Sequence, residues 1–287
     1  MAYLLSLLAA GFYGAADFTG GLATRRAAAI PVVLLSQACG LVLVAIVLPL
    51  FPAASPRTAD LWWGAIAGLT GGVGVALLYR ALAIGTMSIV APTTAVIAVA
   101  LPVLTSIALG ERPGWIPVAG IMLGIMSIVM VSRSPSPEEP ALSAAKGRGG
   151  QGVRTGLGPA LLAGIGVGLF LLALAQVRHE AGLWPLLTDR IASVTFFTIL
   201  AAVGRRSLRM PLNLATLAVG GGALDMIANG LYLFAVQIGP FSAVVTLCSL
   251  YPASTVLLAR GILGERLSAW QTAGVFTAVA AVLLIVS

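Results

Sequence analysis

Apolar residues run along this chain in long blocks and do not alternate with polar ones. Each block reaches about 20 residues, enough for a helix to cross about 30 Å of hydrocarbon. Continuous runs of that length, without a period of two, predict helices over strands. Ten spans are predicted. They run from about Tyr3 to Leu22, Pro31 to Phe51, Leu61 to Ile84, Ser88 to Leu109, Trp115 to Val131, Leu157 to Val177, Trp184 to Val203, Leu214 to Ile238, Ser242 to Leu263 and Ala269 to Val286. Arg25-Arg26 stop the first, and Pro52 and Pro56 break the chain after the second. Backbone groups in lipid must pair internally, which admits only helices or closed barrels. The expected fold class is therefore an all-α integral membrane protein of ten transmembrane helices.

The pattern also repeats. Ala81-Leu-Ala-Ile-Gly85, Ser88, an apolar run and Leu109-Gly110-Glu111-Arg112 recur as Ala235-Val-Gln-Ile-Gly239, Ser242, an apolar run and Leu263-Gly264-Glu265-Arg266. The copies align without a gap, and Ala119-Gly120 then falls on Ala273-Gly274. The period is about half the chain, which makes this a duplicated module and not a solenoid. Between the copies the composition changes: Pro135, Pro137, Glu138, Glu139 and Pro140 precede Lys146-Gly-Arg-Gly-Gly150. Such a stretch has too little apolar surface to order itself and reads as a flexible linker. The expected organisation is a first repeat over residues 1–132, a linker over 133–155 and a second repeat over 156–287. Five spans per half is an odd number, so the second half enters the membrane upside down. In transporters built from such inverted repeats, the substrate sits near the midplane where the repeats meet.

Composition agrees. Hydrophobic residues make up 59% of the chain and charged residues 9%, with a mean hydropathy of +1.05. A soluble domain carries about 25% charged residues, so lipid is the solvent here. The net charge of +7 does not imply nucleic acid, because the basic residues stand at the ends of apolar runs as interface anchors do. Cys39 and Cys248 lie inside apolar runs without metal-ligand spacing and read as small buried residues. Met1 to Leu22 lacks the basic leading region of a cleavable signal peptide. By alternation, Arg25-Arg26, the linker and Arg205-Arg206-Arg209 share one side, and Arg57, Arg112 and Arg178 the other. The positive-inside rule then puts both termini outside.

Two five-helix modules, each closing with Gly-Glu-Arg at the corner between its fourth and fifth helices, resemble the drug/metabolite transporter superfamily, specifically its EamA family. Leu78-Tyr-Arg-Ala-Leu-Ala-Ile-Gly85, Ala91-Pro92 and Leu250-Tyr-Pro-Ala-Ser254 add to the resemblance, which covers nearly the whole chain. It implies a carrier of amino acids, other small metabolites or toxic organic compounds, usually moved outward. It also implies cytoplasmic termini, against the charge bias, and orientation stays open between the two. Pro252 has no counterpart at the aligned Ala98; the nearest proline is Pro102, one turn on, so a kink in the fourth span sits elsewhere than in the ninth.

Charges at the bilayer centre are costly and mark pathways, relays or internal pairs. Asp17 follows Tyr13 by four residues, so the two share a face. Arg80 lies near the end of the third span, and Asp189 and Arg190 lie in the first half of the seventh. Asp225 lies inside the eighth, with Asn229 and Tyr232 on the same face. Two readings are open. In the first, Asp17 or Asp225 takes up and releases a proton, since an apolar setting disfavours the charged carboxylate, and Arg80 or Arg190 grips a substrate carboxylate through two parallel hydrogen bonds. In the second, one of these acids pairs permanently with one of these arginines and locks the bundle. Asp189 reads as a solvated residue near the interface. Tyr251 offers a stacking face for an aromatic or cationic substrate, and Pro252 frees a backbone carbonyl one turn earlier or kinks the ninth helix.

Other polar residues read as structural. His179 and Glu180, beside Arg178, read as wet interface residues, and Glu111-Arg112 and Glu265-Arg266 as corner anchors that cap helix ends. Gly64, Gly68 and Gly72 recur every four residues, with Gly71 and Gly74 beside them, a stripe that permits close helix approach. Trp62-Trp63 and Trp184 belong to interface belts.

No Gly-rich loop ending in Gly-Lys-Ser/Thr is present, so the chain has no means of hydrolysing ATP itself. A single histidine and scattered acids argue against an intramembrane enzyme. A passive channel or an assembly subunit is the alternative, and channels draw on rings of like residues. The expectation is a multi-pass secondary transporter of the inner plasma membrane, working by alternating access and driven by protons or by exchange. Its partners are a small-molecule substrate, amino acid-like or toxic, together with protons and lipid; no cofactor, metal or nucleic acid is expected. The pattern fixes no oligomeric state, and a monomer is compatible with it.

Overall fold

The computed structural model describes residues 1–50, 55–108, 114–133, 149–174, 176–205, 207–239, 244, 247–248, 250–265, 267 and 269–286. Gly110, Glu111, Arg112, most of the expected linker, Arg206, Ser242, Ser249 and Arg266 lie outside them. The described residues form ten α-helices: α1 (Ala2–Thr24), α2 (Ala29–Val47), α3 (Thr58–Ile84), α4 (Met87–Ala108), α5 (Trp115–Arg133), α6 (Gly149–Leu174), α7 (Trp184–Val203), α8 (Leu212–Ile238), α9 (Tyr251–Leu263) and α10 (Ala269–Val286). Short 3-10 turns occupy Leu48–Leu50 and His179–Ala181, and no strand occurs among the described residues. The predicted spans reappear in order.

Three boundaries differ from expectation, each for a backbone reason. α2 stops at Val47 and tightens into the 3-10 turn. Pro49 has no N–H to continue the ladder. α6 begins at Gly149, inside the stretch read as linker. Extending a nucleated helix costs far less than starting one, so the sixth span propagates back beyond its apolar part. The ninth span is not one continuous helix. Leu250 is a turn residue, and α9 starts afresh at Tyr251 with proline in its first turn. Pro252 therefore opens a helix, where its missing N–H costs nothing, and does not kink one from within.

Among the described residues, five segments are long and apolar enough to cross a membrane unaided: Ala29–Leu50, Thr58–Ile84, Gly156–Leu174, Trp184–Val203 and Leu212–Ala235. Met87–Leu101, Val118–Ser127 and Thr272–Leu284 are shorter apolar stretches. α1 has the length, but Asp17 and its threonines lower its hydropathy.

Packing relies on small residues, since lipid tails give apolar side chains no reason to leave them. The glycine stripe of α3 lies on α7: Gly64 meets Pro185 and Thr188, Gly68 meets the backbone of Asp189, and Gly72 meets Ser193 and Phe197. Any Cβ at these positions would overlap α7, so only glycine permits the contact. On its other side α3 presents Gly71 and Gly74 to Phe170 and Val167 of α6. In the second half, Gly222 of α8 meets the backbone of Ser36 on α2 in the same way. Exchanging the halves maps the helix pairs onto one another. α3 packs on α6 as α8 packs on α1, α3 on α7 as α8 on α2, and α4 on α6 as α9 on α1. The bounds of α3 and α8 differ by 154 residues at both ends, 58 against 212 and 84 against 238. A buried cluster including Phe18, Val33, Tyr79, Leu82, Met87 and Phe197 joins helices of both halves.

Candidate functional site

A cavity of about 150 Å³ lies between the two halves. Tyr13 and Asp17 reach it from α1, Gln37 from α2, and Asp189 and Arg190 from α7. Asp225, Asn229 and Tyr232 reach it from α8, and Tyr251 from the first turn of α9. Its remaining wall is apolar, chiefly Val167, Phe170, Leu171 and Leu174 of α6 facing Gly71, Gly72 and Val75 of α3. The same glycines that draw α3 onto its neighbours thus leave free space beside them.

Arg190 is the hub of this site. It is only 5% exposed. Its Nη2 donates to Asp225 Oδ2 at 2.6 Å, its Nη1 donates to Gln37 Oε1, and its Nε stands 3.5 Å from Asp189 Oδ2. Gly40 of α2 makes room for the guanidinium. A second chain of contacts leads away from Asp225. Asn229 Nδ2 donates to the Asp225 carbonyl at 2.8 Å and to its Oδ2 at 3.2 Å, and the Tyr13 hydroxyl donates to Asn229 Oδ1 at 3.1 Å. Tyr13 and Tyr251 meet edge to face with centroids 6.5 Å apart. Asp17 is different. It lines the cavity half-buried, and among the described residues no side chain or backbone group pairs with it.

Of the residues singled out in the sequence, Tyr13, Asp17, Arg190, Asp225, Asn229, Tyr232 and Tyr251 converge on the cavity. Arg80 does not. It is exposed on the outside of α3, four residues from the helix end, where a long basic side chain reaches the interface. Pro252 is buried but not part of the lining. Asp189 departs from its reading as a solvated interface residue: it is 4% exposed and faces the cavity. Gln37 carries no charge and no motif, and it was legible only as a polar residue inside an apolar run, one position on from the copy of Arg190. Apart from Asp17, the charge belongs to the second half, since the positions 154 residues before Asp189, Arg190, Asp225 and Asn229 hold Leu35, Ser36, Gly71 and Val75.

Two further polar clusters join the halves at their ends. At one, Asp60 in the first turn of α3 accepts from the N–H of Arg57 at 2.8 Å and from Arg178 Nη2 at 2.7 Å, with the Arg178 N–H at 3.3 Å. Arg178 lies in the α6–α7 connection and also approaches Glu180 at 3.6 Å. The neighbouring carboxylates hold its guanidinium above its ordinary pKa, so it stays charged. At the other end, Gly264 adopts a left-handed conformation at φ 65° that ends α9 and turns Glu265 toward α4. Glu265 accepts from the N–H groups of Met87 and Ser88, both at 3.0 Å, from the Ser88 hydroxyl at 2.8 Å, and from Arg25 Nη2 at 3.3 Å. Glu265 thus caps a helix, but one in the other half of the chain. The two clusters lie at opposite ends of α3, whose 27 residues span ~40 Å.

A model of the EamA-like transporter family matches residues 1–133 and residues 154–287. A protein crystal structure that is 15% identical aligns over 99% of this chain and 95% of its own, with a TM-score of 0.64, a likeness of fold. No curated protein matches the chain.

Proposed function

The chain belongs to the EamA-like transporter family, a family of small-molecule membrane transporters and not of enzymes, and from that premise we propose a secondary carrier that moves a small organic compound outward by alternating access. In this reading the halves are two inverted five-helix repeats of the plasma membrane. The observation that carries it is the cavity between the halves, lined from both and holding an unpaired carboxylate. The odd number of helices per half among the described residues and the interchange of helix pairs on swapping the halves support the inverted arrangement. The site then sits where inverted repeats meet.

Asp17 is the coupling residue in this proposal. A carboxylate without a partner can be neutralised by a proton or by a cation that reaches it, so each opening allows exchange with one face. Asp225 is less suited, because Arg190 already balances its charge. The clusters around Asp60 and Glu265 act as clasps, and opening one face requires its clasp to separate. A permanent pore would gain nothing from ties between the halves at both ends.

The test is substrate flux in sealed proteoliposomes with and without a pH gradient. Asp17→Asn is expected to abolish pH-driven accumulation. Unchanged pH-driven accumulation would reject the coupling role. Labelling that put Gly110 and Gly264 on the same membrane face would reject the inverted arrangement.

A further inference from the structure

We infer that the cargo of the central cavity is a small organic cation, an ammonium group on a body of about one ring, and that Asp17 receives its charge. The inference deepens the transport reading above and rests on it for the identity of the site.

Charge is the first ground. Three carboxylates, Asp17, Asp189 and Asp225, face this cavity with a single guanidinium among them. Arg190 satisfies Asp225 at 2.6 Å, approaches Asp189 at 3.5 Å without a hydrogen bond, and does not pair with Asp17, so one positive charge stands against three carboxylates. Asp189 is 4% exposed, and its Oδ2 accepts no hydrogen bond. Asp17 has no partner among the described residues. Buried carboxylates persist as anions only when paired, so the empty site takes up protons and the loaded site takes up a cationic guest.

The occupancy of Arg190 is the second ground. A zwitterionic or anionic guest needs a cation for its carboxylate, and this guanidinium already donates through both Nη atoms to Gln37 and Asp225, while its Nε, without a hydrogen bond, stands 3.5 Å from the Asp189 carboxylate. Such a guest would have to break a buried ion pair and would add a fourth carboxylate to the cavity. An ammonium group without a carboxylate does neither. The amino acid-like cargo expected from the sequence is therefore disfavoured by the site itself.

Shape supplies the third. An apolar cavity of about 150 Å³ takes up a guest of benzene size, and the volume here matches. Phe170 and Leu171 on one side and the tyrosine pair Tyr13 and Tyr251 on the other accept an apolar body. Aromatic faces also attract a desolvated cation.

The experiment uses the full chain and phenyltrimethylammonium, which keeps its charge at every pH and cannot leak through lipid as a neutral base. Its binding is compared by calorimetry with that of L-phenylalanine and 3-phenylpropionate, and the flux of all three is followed in proteoliposomes. The ammonium compound is expected to bind at least tenfold tighter than either carboxylate. Asp17→Asn is expected to weaken it at least tenfold, and Asp17→Glu to restore much of the loss. Equal or tighter binding of either carboxylate, or no binding of the cation to the unaltered protein, overturns the inference whether or not the variants fold. Flux of a carboxylate alone sinks the cation and keeps the transporter; cation binding without flux of any compound keeps the charge assignment and sinks the transporter.

Discussion

At one end of the bundle Asp60 holds Arg178 by a charged contact of 2.7 Å and caps its own helix. At the other, Glu265 holds the start of α4 by two backbone N–H groups and a serine hydroxyl, with Arg25 farther off at 3.3 Å. Both ties run from one half of the chain to the other, and both use a carboxylate at the positive end of a helix. They differ in what balances the charge. Asp60, 2% exposed, depends on a guanidinium; Glu265 depends chiefly on neutral donors. The Asp60 clasp is accordingly brittle toward loss of its cation, and the Glu265 clasp is tolerant of it.

The largest effect is therefore expected from Arg178→Gln. It leaves a buried carboxylate without its counter-charge, the costly way to break an ion pair. Cys248 lines the cavity and reports on access to it, once Cys39 is replaced by serine. Modification of Cys248 by an impermeant thiol reagent is expected to quicken on the order of tenfold to a hundredfold from the Asp60 face only. Adding Asp60→Asn should recover part of the change, since no charge then remains stranded. Equal acceleration from both faces would mean that the cluster holds the whole fold together and controls no single face.

Glu265→Ala is expected to rank second. The α4 N-terminus loses three hydrogen bonds from Met87 and Ser88, both buried, but the stranded groups are neutral donors and not a charge. Loss of such a cap costs about 1–2 kcal/mol, and a shift of that size changes access roughly tenfold. The faster labelling should appear at the face opposite to that opened by Arg178→Gln. Acceleration at the same face would contradict the placement of the two clasps at opposite ends of the carrier.

Much of this was open to reading in the sequence, and the limits have physical causes. Lipid demands a run of about 20 apolar residues per span, so the helices announce themselves, and α7 and α10 begin and end where the pattern places them. Asp17, Arg190 and Asp225 stand out because charge is rare in such runs. Their partners do not. Gln37 lies 153 residues from Arg190, and no local pattern says which faces of α2 and α7 meet. Asp189 and Arg80 were misplaced for the same reason: depth can be counted along a helix, but direction depends on packing. Gly68 brings the Asp189 backbone against α3, while Arg80 lies on the side of α3 that has no helix to meet. Pro252 illustrates a different limit, since a proline within an apolar run reads equally as a kink or as a new start.

The smallest effect separates the clasps most sharply. Arg25→Gln removes the only charged partner of Glu265 among the described residues, as Arg178→Gln removes the cation beside Asp60. If the two clasps were the same device, the two substitutions would act alike. The Arg25 side chain is 30% exposed and its contact is long, and half-exposed pairs of this kind contribute about 0–1 kcal/mol. Three donors from α4 remain on Glu265. Cys248 labelling from the Glu265 face should therefore rise no more than about threefold, and raising the salt concentration should erase the difference. A response to Arg25→Gln as large as that to Arg178→Gln would show that Glu265 is held by charge after all, and would turn two unlike clasps into a matched pair.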